Sequence, residues 1–583
     1  MENTLKTEWD LSKFGYSGPR DPKIKVDYHL YESKIKNFCT KWKGKKDLVL
    51  ENFGDFLNDL NLMNGQEKLW MYLGLDSSIK INDTELQIVC DELQMMCVPL
   101  AEELLFADEI FKEIGAEKIA ELANKFPDYN NYLTKVSENI KHLLSEEQEK
   151  IIIRLSDAYS DSTYDQYQGA LSFDYNDKKM TLQELWSLRV SPKRQARMDA
   201  FMIISKEFNE EKNAILFGNQ YTTVCKLNVA NMNMRGMSSV MEGRNLSEGM
   251  DENTVNAMLE KVKAKYPIYQ TYLKKKAELL GLPKLEVYDV GAPIVKETSK
   301  DKEWKYEEGL QMYLDTVKGI DNDLYEHSKS LTENGNVDVY PRKGKSGGAF
   351  CYYVKGLGEY VLLNWANDPD SVTTLAHEFG HAFHGYLSND QNNINYHSSL
   401  CLAETASIFN ETALFNALLA VESVDKEELI SGRLDDLFAT IFRQVMYVAF
   451  EKRCHESWKK GIPLSWKDYN GMWLEEVKLL YGDAVNLDED LLKFGWMTIP
   501  HIYHTPFYCY AYSFGNILSL NVYQGFLKAE DKKEYLTKYK DFLRLGGSKD
   551  PKEAVMDSFG LDIASDEFYD LAFSHIEELI KKL

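Results

Sequence analysis

The sequence predicts a mainly α-helical fold with one small β-sheet, and two contrasting segments support this prediction. Residues 84–126 contain apolar side chains that recur at spacings of three and four, the pattern of amphipathic helices. Residues 336–365 contain two β-like runs beside glycine-rich turns, and this is the only region for which we predict a sheet. The chain has 583 residues, 44% of them hydrophobic, so we expect a large core divided among roughly two to four structural units.

Taken in order, the predicted elements form two long helical stretches separated by the β-containing region. Helices are predicted up to about residue 215 and again from Glu252 to about Leu280, after which the chain becomes β-branched and is interrupted by Gly and Pro. Helices resume at Asp370 and continue to the carboxyl terminus. The predicted domains are an N-terminal helical domain, residues 1–195, and a second domain, residues 196–583, without a long linker between them.

The composition argues against several classes of partner. With 92 acidic and 68 basic side chains the formal net charge is -24, and no basic stripe is present, so nucleic acid is not an expected partner. No run approaches the roughly 20 apolar residues of a membrane span, and the amino terminus lacks the apolar stretch of a signal peptide. The eight cysteines are scattered without CxxC pairs, as is typical of reduced thiols. We therefore predict a cytoplasmic protein.

The stretch "HEFGH" has the spacing of a metal site. His377 and His381 are four residues apart, so on a helix they project from one face about one turn apart and can reach one ion. Glu378 points to the flank of that face, where it can contact a water on the metal. The residues around the motif are apolar, and a buried helix with polar groups on one side needs a partner for them, which a metal supplies.

A catalytic zinc ion usually takes three protein ligands, so a third must be found. His384 is close in sequence, yet positions 377 and 384 are separated by roughly 10 Å along a helix axis, whereas ligands lie roughly 2 Å from zinc. A continuous helix cannot bring all three histidines to one ion. We therefore expect His384 to line or support the site and not to bind the metal.

A better third ligand lies downstream, in "ETASIFNE". Glu404 begins this helix-like segment, and Glu411 follows seven residues later, two turns along the same face. We predict that Glu404 is the third ligand. Glu411 would accept a hydrogen bond from the other ring nitrogen of a ligand histidine and so fix its tautomer. A solvated acidic face is the alternative interpretation of Glu411.

Several stretches together resemble one family. "TLAHEFGHAFH", followed after about twenty residues by "ETASIFNE", resembles the oligoendopeptidase F branch of the thimet oligopeptidase family of zinc metallopeptidases. "LEVYDVGAP", "RKGKSGGAFCYYVKGLGEYVLLNW" and "IPHIYHTPFYCYAYSFGN" are also similar to segments of that branch. The resemblance implies a two-lobed helical zincin-type metallopeptidase with the small sheet beside the zinc helix. It also implies a deep channel that admits short, unstructured peptides.

The resemblance assigns roles to residues. It implies one Zn²⁺ held by His377, His381 and Glu404, with Glu378 as the general base. It also implies an edge strand that pairs with the substrate backbone, at Gly347, Gly348 and Ala349. In the C-terminal segment it implies groups that stabilise the tetrahedral intermediate, for which Tyr512 and His501 are predicted, and further substrate contacts, for which the candidates are His504, Tyr508 and Tyr510. Which tyrosine acts on the oxyanion is left open.

The predicted function is a zinc-dependent endopeptidase that hydrolyses internal bonds of short oligopeptides, with Glu378 activating a zinc-bound water. One alternative is a related zinc exopeptidase, releasing dipeptides or acting as a carboxypeptidase. Another is a non-catalytic peptide-binding protein with structural zinc, for which Cys401 is the nearest candidate for a fourth ligand. The sequence predicts neither the oligomeric state nor the cleavage preference.

Overall fold

The computed structural model describes residues 5–65, 67–156, 162–294, 303–422 and 424–583. The fold is mainly α-helical with small sheets, as predicted. None of the helices in these ranges combines the length and apolarity needed to cross a membrane.

The helices before the principal sheet form the first part of the chain. They are α1 Pro22–Trp42, α2 Lys46–Glu51, α3 Phe53–Met63, α4 Lys68–Ile79, α5 Thr84–Leu104, α6 Phe106–Ile114, α7 Ala116–Ala123, α8 Asn130–Asn139, α9 Glu146–Ser156, α10 Ser162–Ala170, α11 Leu182–Ser187, α12 Arg194–Asn209, α13 Glu211–Met234, α14 Glu242–Glu248, α15 Glu252–Ala264, α16 Tyr266–Leu279, α17 Tyr306–Lys318 and α18 Asn322–Glu333.

The helices after that sheet build the site described below. They are α19 Pro369–Ser388, α20 Leu400–Ala403, α21 Thr405–Leu419, α22 Lys426–Leu437, α23 Arg443–Lys459, α24 Trp466–Tyr481, α25 Glu489–Leu492, α26 Pro500–His504, α27 Tyr510–Lys528, α28 Lys532–Arg544, α29 Pro551–Phe559 and α30 Asp566–Lys581. A π-helical turn, Phe438–Phe442, joins α22 to α23.

The strands are short and form three sheets. They are β1 Phe173–Tyr175, β2 Lys178–Met180, β3 Leu285–Glu286, β4 Val337–Asp338, β5 Phe350–Val354, β6 Gly358–Leu362 and β7 Val485–Asn486. The principal sheet has the order β4-β6-β5, with β4 parallel to β6 and β5 antiparallel to it. It lies within the region for which the sequence predicts a sheet.

The expectation of a single sheet was wrong, because two further strand pairs occur. β1 and β2 form a hairpin whose turn residues, Asn176 and Asp177, have φ values of 49° and 61°. An Asn-Asp pair with positive φ is a hairpin signal that could have been recognised. β3 and β7 pair two residues each across a long separation in sequence, and so short a pairing leaves no periodic pattern to detect.

The principal sheet lies between two apolar cores. The smaller core is built mainly from residues 9–133 and the larger from residues 164–579. Along β6, Tyr360 and Leu362 belong to the smaller core and Val361 to the larger, because successive strand side chains point to opposite faces. The sheet is thus covered on both faces, and α19 contacts both β5 and β6.

The division between the two apolar cores lies near the predicted domain boundary but does not coincide with it. Tyr164, Phe173 and Leu185 pack in the larger core, although they precede residue 195. The division into domains at residue 195 stays a prediction.

Candidate metal centre

Helix α19 carries the "HEFGH" motif and begins with its own cap. The Asp368 side chain accepts a hydrogen bond from the Ser371 backbone N–H at 2.8 Å, and Pro369 occupies the first turn, where a backbone N–H is not needed. The apolar side chains of the helix are buried and so fix its rotation. His377 and His381 consequently share the face that meets Glu404.

Gly380, inside the motif, determines how closely α19 approaches α21. A Cβ at this position would lie 2.5 Å from the Ala406 carbonyl oxygen and 2.5 Å from Ser407 Cα. Because glycine lacks that atom, the two backbones can meet here, which brings Glu404 opposite the two histidines. Gly380 is not among the residues predicted from the sequence, although a glycine inside a helix can itself signal close packing.

Glu404 lies at the junction of α20 and α21 and is held from two sides. Ser407 Oγ donates to its carboxylate at 2.6 Å, and Ser519 Oγ on α27 donates to its backbone carbonyl at 3.1 Å. Gly515 permits this approach of α27, since a Cβ there would lie 2.9 Å from Glu404 Cβ. The third predicted ligand is therefore positioned by its own helix and by α27.

Three ligand atoms converge at this point. His377 Nε2 lies 3.1 Å from His381 Nε2, and a Glu404 carboxylate oxygen lies 3.5 Å from the first and 3.4 Å from the second. Ligand atoms at about 2.0–2.1 Å from a tetrahedral zinc ion are roughly 3.3–3.4 Å apart, so the group has the size and donor set that zinc requires. Among the described residues no other His, Cys, Asp or Glu joins this group. Within the part of the chain that the structure describes, three protein atoms thus converge, and one tetrahedral position is left for a further ligand.

Glu411 hydrogen-bonds the ring nitrogen of His377 that faces away from the other two ligand residues. His377 Nδ1 donates to Glu411 Oε1, so that when the ring gives up its other proton to bind a metal, the free lone pair lies on Nε2, which faces the other two ligand atoms. Arg433 on α22 donates to Glu411 Oε2 at 2.5 Å and to Thr412 Oγ1 at 3.0 Å. The sequence predicts the contact of Glu411 but not that of Arg433, because no local pattern connects α22 to this site.

The charges around the ligands favour a cation. Burial lowers the pKa of His377, but the hydrogen bond and the charge of Glu411 outweigh burial and raise that pKa to about 10. Burial raises the pKa of Glu404, yet the nearby charges of His381 and His377 hold it well below 4.5. Burial raises the pKa of Glu411 too, yet Arg433 and His377 lower it below 4.5. Both carboxylates are therefore ionised near neutral pH, and their negative charge favours binding of a cation.

Glu378 lies beside the ligand group without joining it. It is 6% exposed, and burial raises the pKa of its carboxyl above 4.5, against the opposing charges of His377 and His381. A carboxylate whose pKa is raised toward neutrality is a better proton acceptor near the site of reaction.

His384 and Cys401 are both outside the ligand group. His384 is 2% exposed, and burial lowers the pKa of its imidazole to about 4, so the ring is neutral. It lies about two turns along α19 from His377, too far along the helix axis to bind the same ion. Without Cys401, the structural-zinc alternative lacks a fourth protein ligand among the described residues.

A C-terminal arm, residues 500–512, brings three predicted residues together. Tyr512 Oη lies 3.4 Å from His501 Nε2, and the Tyr508 and Tyr512 rings meet edge to face at 5.0 Å. Burial raises the pKa of both tyrosines, and the Glu404 charge adds to this, so both hydroxyls stay protonated and lie near the ligand group.

The arm is held by an unusual backbone conformation at Phe507. Its φ is 63°, in the left-handed region that non-glycine residues rarely adopt. The Phe507 N–H donates to Glu451 Oε1 at 2.9 Å, and Glu451 is fully buried in α23. This contact fixes the turn that presents Tyr508, and no local sequence pattern predicts it.

Tyr510 and His504 are placed differently from the other arm residues. Tyr510 is 1% exposed and lies in the larger core, so a substrate contact is not supported for it. Tyr510 begins α27 and packs in the core, whereas Tyr508 lies in the turn before α27 and its ring meets that of Tyr512. His504 Nε2 lies 3.1 Å from an Asp165 carboxylate oxygen, and His504 lines a cavity of about 230 Å³ with His501 and Tyr508.

Gly347, Gly348 and Ala349 lie in the bend that leads into β5 rather than within a strand. The Asn364 side chain holds this bend by donating to the Ser346 carbonyl at 2.8 Å and to the Gly348 carbonyl at 2.7 Å. The edge strand itself is β5, which begins at the next residue.

Comparisons with known proteins place the chain among peptidases. It matches the family model described as Peptidase family M3 over residues 187–574. It is similar to Oligopeptidase PepF of Bacillus subtilis (strain 168), with 26% identity over 467 residues, 78% of this chain and 68% of that protein. It is similar to Oligoendopeptidase F homolog of Borreliella burgdorferi, with 27% identity over 569 residues, 94% of this chain and 93% of that protein.

Among solved structures, oligoendopeptidase-F from Enterococcus faecium has a TM-score of 0.69 and 22% identity. The alignment covers 96% of this chain and 99% of that one, so the two share a fold over nearly their whole lengths.

Proposed function

The chain belongs to peptidase family M3 and is a metallopeptidase, and on that premise we propose that it is a zinc-dependent endopeptidase acting on short, unstructured peptides. The observation that carries the proposal is the convergence of His377 Nε2, His381 Nε2 and a Glu404 oxygen at mutual distances of 3.1, 3.4 and 3.5 Å. Two nitrogens and one oxygen are the donor set of a catalytic zinc site that keeps one position open.

The chain supplies the proton chemistry through Glu378. Zinc, when bound, lowers the pKa of water and polarises a carbonyl oxygen. Glu378 takes a proton from the attacking water and later delivers it to the leaving amine. Its burial supports this role, because the raised pKa lets the carboxyl both accept and return a proton.

Tyr512 and His501 are proposed to stabilise the oxyanion that forms on the substrate. Burial raises the pKa of Tyr512, so its hydroxyl stays a hydrogen-bond donor. Tyr508 lies in the turn before α27 with its ring against Tyr512 and is the second candidate donor. A donor aimed at developing negative charge is worth roughly 2.7–4 kcal/mol in the transition state.

The outer edge of β5 is the proposed binding site for the substrate backbone. The Val361 N–H on β6 donates to the Asn336 carbonyl at 2.8 Å, away from β5. The backbone N–H and C=O groups of successive residues in a strand point in opposite directions. Those of Tyr352, which pairs with Tyr360, therefore point toward β6, and those of Cys351 and Tyr353 point to the outer edge.

No described strand covers that edge of β5. Ala349, two residues before Cys351, continues the same outward row, whereas the Gly348 carbonyl is engaged by Asn364. We therefore place the proposed backbone contacts at Ala349, Cys351 and Tyr353, with the glycines as the flexible lead into them.

An exopeptidase with the same metal site is the competing proposal. An extended edge binds a peptide backbone without requiring a free terminus, and this supports internal cleavage. A cytoplasmic location belongs to the same proposal, and all eight cysteines are free, as expected in a reducing compartment.

The test uses a peptide mixture in which half of the peptides have both ends blocked. The protein is assayed as purified, after a chelator, and after zinc is added back, with products identified by mass spectrometry. We expect internal cleavage of blocked peptides that is lost with the chelator and restored by zinc. Cleavage confined to peptides with a free end would favour the exopeptidase, and activity indifferent to the chelator would rule out the metal role.

A further inference from the structure

Arg189 and Arg443 differ from every other arginine of the chain. Neither forms an ion pair with any residue that the structure describes. In contrast, a carboxylate pairs with each of the remaining arginines, namely Arg20, Arg154, Arg194, Arg197, Arg235, Arg244, Arg342, Arg433, Arg453 and Arg544. Two unpaired arginines are unexpected in a chain with 92 acidic residues and a net charge of -24.

The two side chains are not simply extended into solvent. Both are half-buried, and the Nε of each is buried without a hydrogen-bond partner among the described residues. The Arg189 guanidinium stacks on the Trp186 ring at 3.6 Å and lies 5.1 Å from the Phe201 ring centre. A charged donor held in this way without a partner is costly, so such an arrangement points to a ligand.

The two guanidinium groups are within electrostatic reach of each other. Burial lowers the pKa of Arg189 to about 10, and the like charge of Arg443 contributes to the same shift. Tyr447 and Tyr481 are close enough to act on both arginines. Burial raises the pKa of both tyrosines, so their hydroxyls remain neutral donors. Two cations and two hydroxyl donors that act on one another in this way form a cradle for an anion.

This cradle adjoins the arm that carries Tyr512. Ser513 Oγ on α27 donates at 2.8 Å to the carbonyl of Ile441, in the π-helical turn just before Arg443. The charge of Arg443 also reaches His501, whose pKa is lowered by burial, by His504 and by Arg443. The arginine pair therefore lies beside the proposed peptide-binding site, where a substrate group can reach it.

We propose that Arg189 and Arg443 bind a carboxylate of the peptide substrate, an inference that rests on the proposed peptidase function. The planar guanidinium fork matches a carboxylate in two parallel hydrogen bonds. The carboxylate comes either from the free C-terminus of the peptide or from an Asp or Glu side chain. In both cases an anionic group at a fixed distance from the metal selects which bond is placed for cleavage.

The experiment measures binding separately from turnover. Zinc-loaded full-length Glu378→Gln protein is titrated with a fluorescent peptide in three forms: a free C-terminal acid, the C-terminal amide, and the amide with one internal Gln replaced by Glu. We expect the acid form or the Glu-containing form to bind at least about tenfold more tightly than the plain amide, and the form that does so identifies the source of the carboxylate. Equal affinities for all three forms would overturn the proposal without any arginine variant.

Arginine variants then locate the effect. Arg443→Met and Arg189→Met are each made in the Glu378→Gln protein. Each should bring the ratio of affinities for the carboxylate-bearing peptide and the plain amide close to one, because methionine keeps the length of the side chain but not its charge. Arg443→Lys should keep part of it, since lysine retains the charge but not the fork. Arg154→Met is the matched control, because Arg154 pairs with Glu102 on the exposed surface. A preference that survives loss of both arginines would place the carboxylate elsewhere and contradict the proposal.

The same peptides separate this inference from the proposed function. Wild-type protein that prefers carboxylate peptides but cleaves none of them would keep the subsite and lose the peptidase proposal. Wild-type protein that cleaves acid, amide and Glu-containing peptides with equal kcat/KM would keep the peptidase and lose the subsite.

Discussion

The two sides of the candidate site are built differently. On the metal side, His377, Glu404 and Glu411 each have a hydrogen-bond partner inside the fold. On the opposite side, Tyr512 and His501 meet only across 3.4 Å, at the long limit of a hydrogen bond.

The metal-side residues are therefore positioned before a ligand binds, whereas the arm residues can move in response to a substrate. Groups that are fully hydrogen-bonded hold one geometry before any ligand arrives, as metal binding requires. Groups with loose mutual contacts can turn toward a substrate, and catalytic hydrogen bonds often tighten only in the reacting complex. Damage to the metal side should therefore appear in zinc content, and damage to the arm should appear in turnover alone.

The largest expected effect is on the metal side, at Glu404. Glu404→Ala removes one of three ligand atoms, so we expect zinc to be lost and peptide cleavage to fall by at least about 1000-fold. Zinc content is measured by plasma mass spectrometry beside the activity assay. Gly380→Ala should approach the same result through the backbone, because its Cβ would lie 2.5 Å from the Ala406 oxygen. Normal zinc content in Glu404→Ala would show that another group is the third ligand.

On the arm, Tyr512→Phe should lower kcat without changing zinc content. Loss of one oxyanion donor costs roughly 100–1000-fold in kcat, and the ring packing against Tyr508 is kept. Tyr508→Phe is the matched variant, and Tyr510→Phe is the control, since Tyr510 is 1% exposed. If Tyr508→Phe loses more kcat than Tyr512→Phe, the oxyanion role belongs to Tyr508.

A smaller effect is expected behind the metal, at Glu411. Glu411→Gln weakens the hold on His377 Nδ1 and leaves Arg433 without its carboxylate, so zinc affinity should fall by roughly 10–100-fold. Competition with a zinc-sensitive chelating dye measures this affinity directly. An unchanged zinc affinity would show that the hydrogen bond from His377 to Glu411 is not needed to orient His377 for metal binding.

The smallest effect on zinc is expected at His384. His384→Ala should bind zinc like the wild type but lose roughly 2–5 kcal/mol of stability, because it empties a buried site. The pKa of His384 is lowered from 6.5 to about 4, so the neutral ring stabilises the fold above about pH 6.5 and that contribution is lost as the pH falls toward 4. Urea unfolding at pH 7 and pH 5 tests this, and the difference between wild type and variant should shrink at pH 5.

The sequence predicted the metal side better than the arm, and the reason is physical. Helix periodicity placed His377 and His381 on one face, argued against His384 and linked Glu411 to Glu404, because these relations are local to two helices. On the arm the same rule does not apply, because Tyr508 lies in the turn before α27 and only Tyr510 and Tyr512 are helical.

Contacts between distant segments left no such pattern. Arg433 reaches Glu411 from another helix, and Arg189 and Arg443 act on each other electrostatically from segments far apart in the chain. The principal sheet was predicted from its β-branched runs, whereas the pairing of β3 with β7 was not, since it joins two residues on each side. The contacts that could not be predicted from the sequence are therefore those between residues far apart in the chain.

The most direct test of the account is the activity of zinc-loaded Glu378→Gln protein. Glutamine keeps the size of the side chain but cannot accept the proton, so we predict wild-type zinc content and loss of at least about 100-fold in cleavage of end-blocked peptides. Zinc and products should be measured on the same preparation, by plasma mass spectrometry and by peptide mass spectrometry. Full cleavage by the zinc-loaded variant would contradict Glu378 as the general base and with it the proposed mechanism.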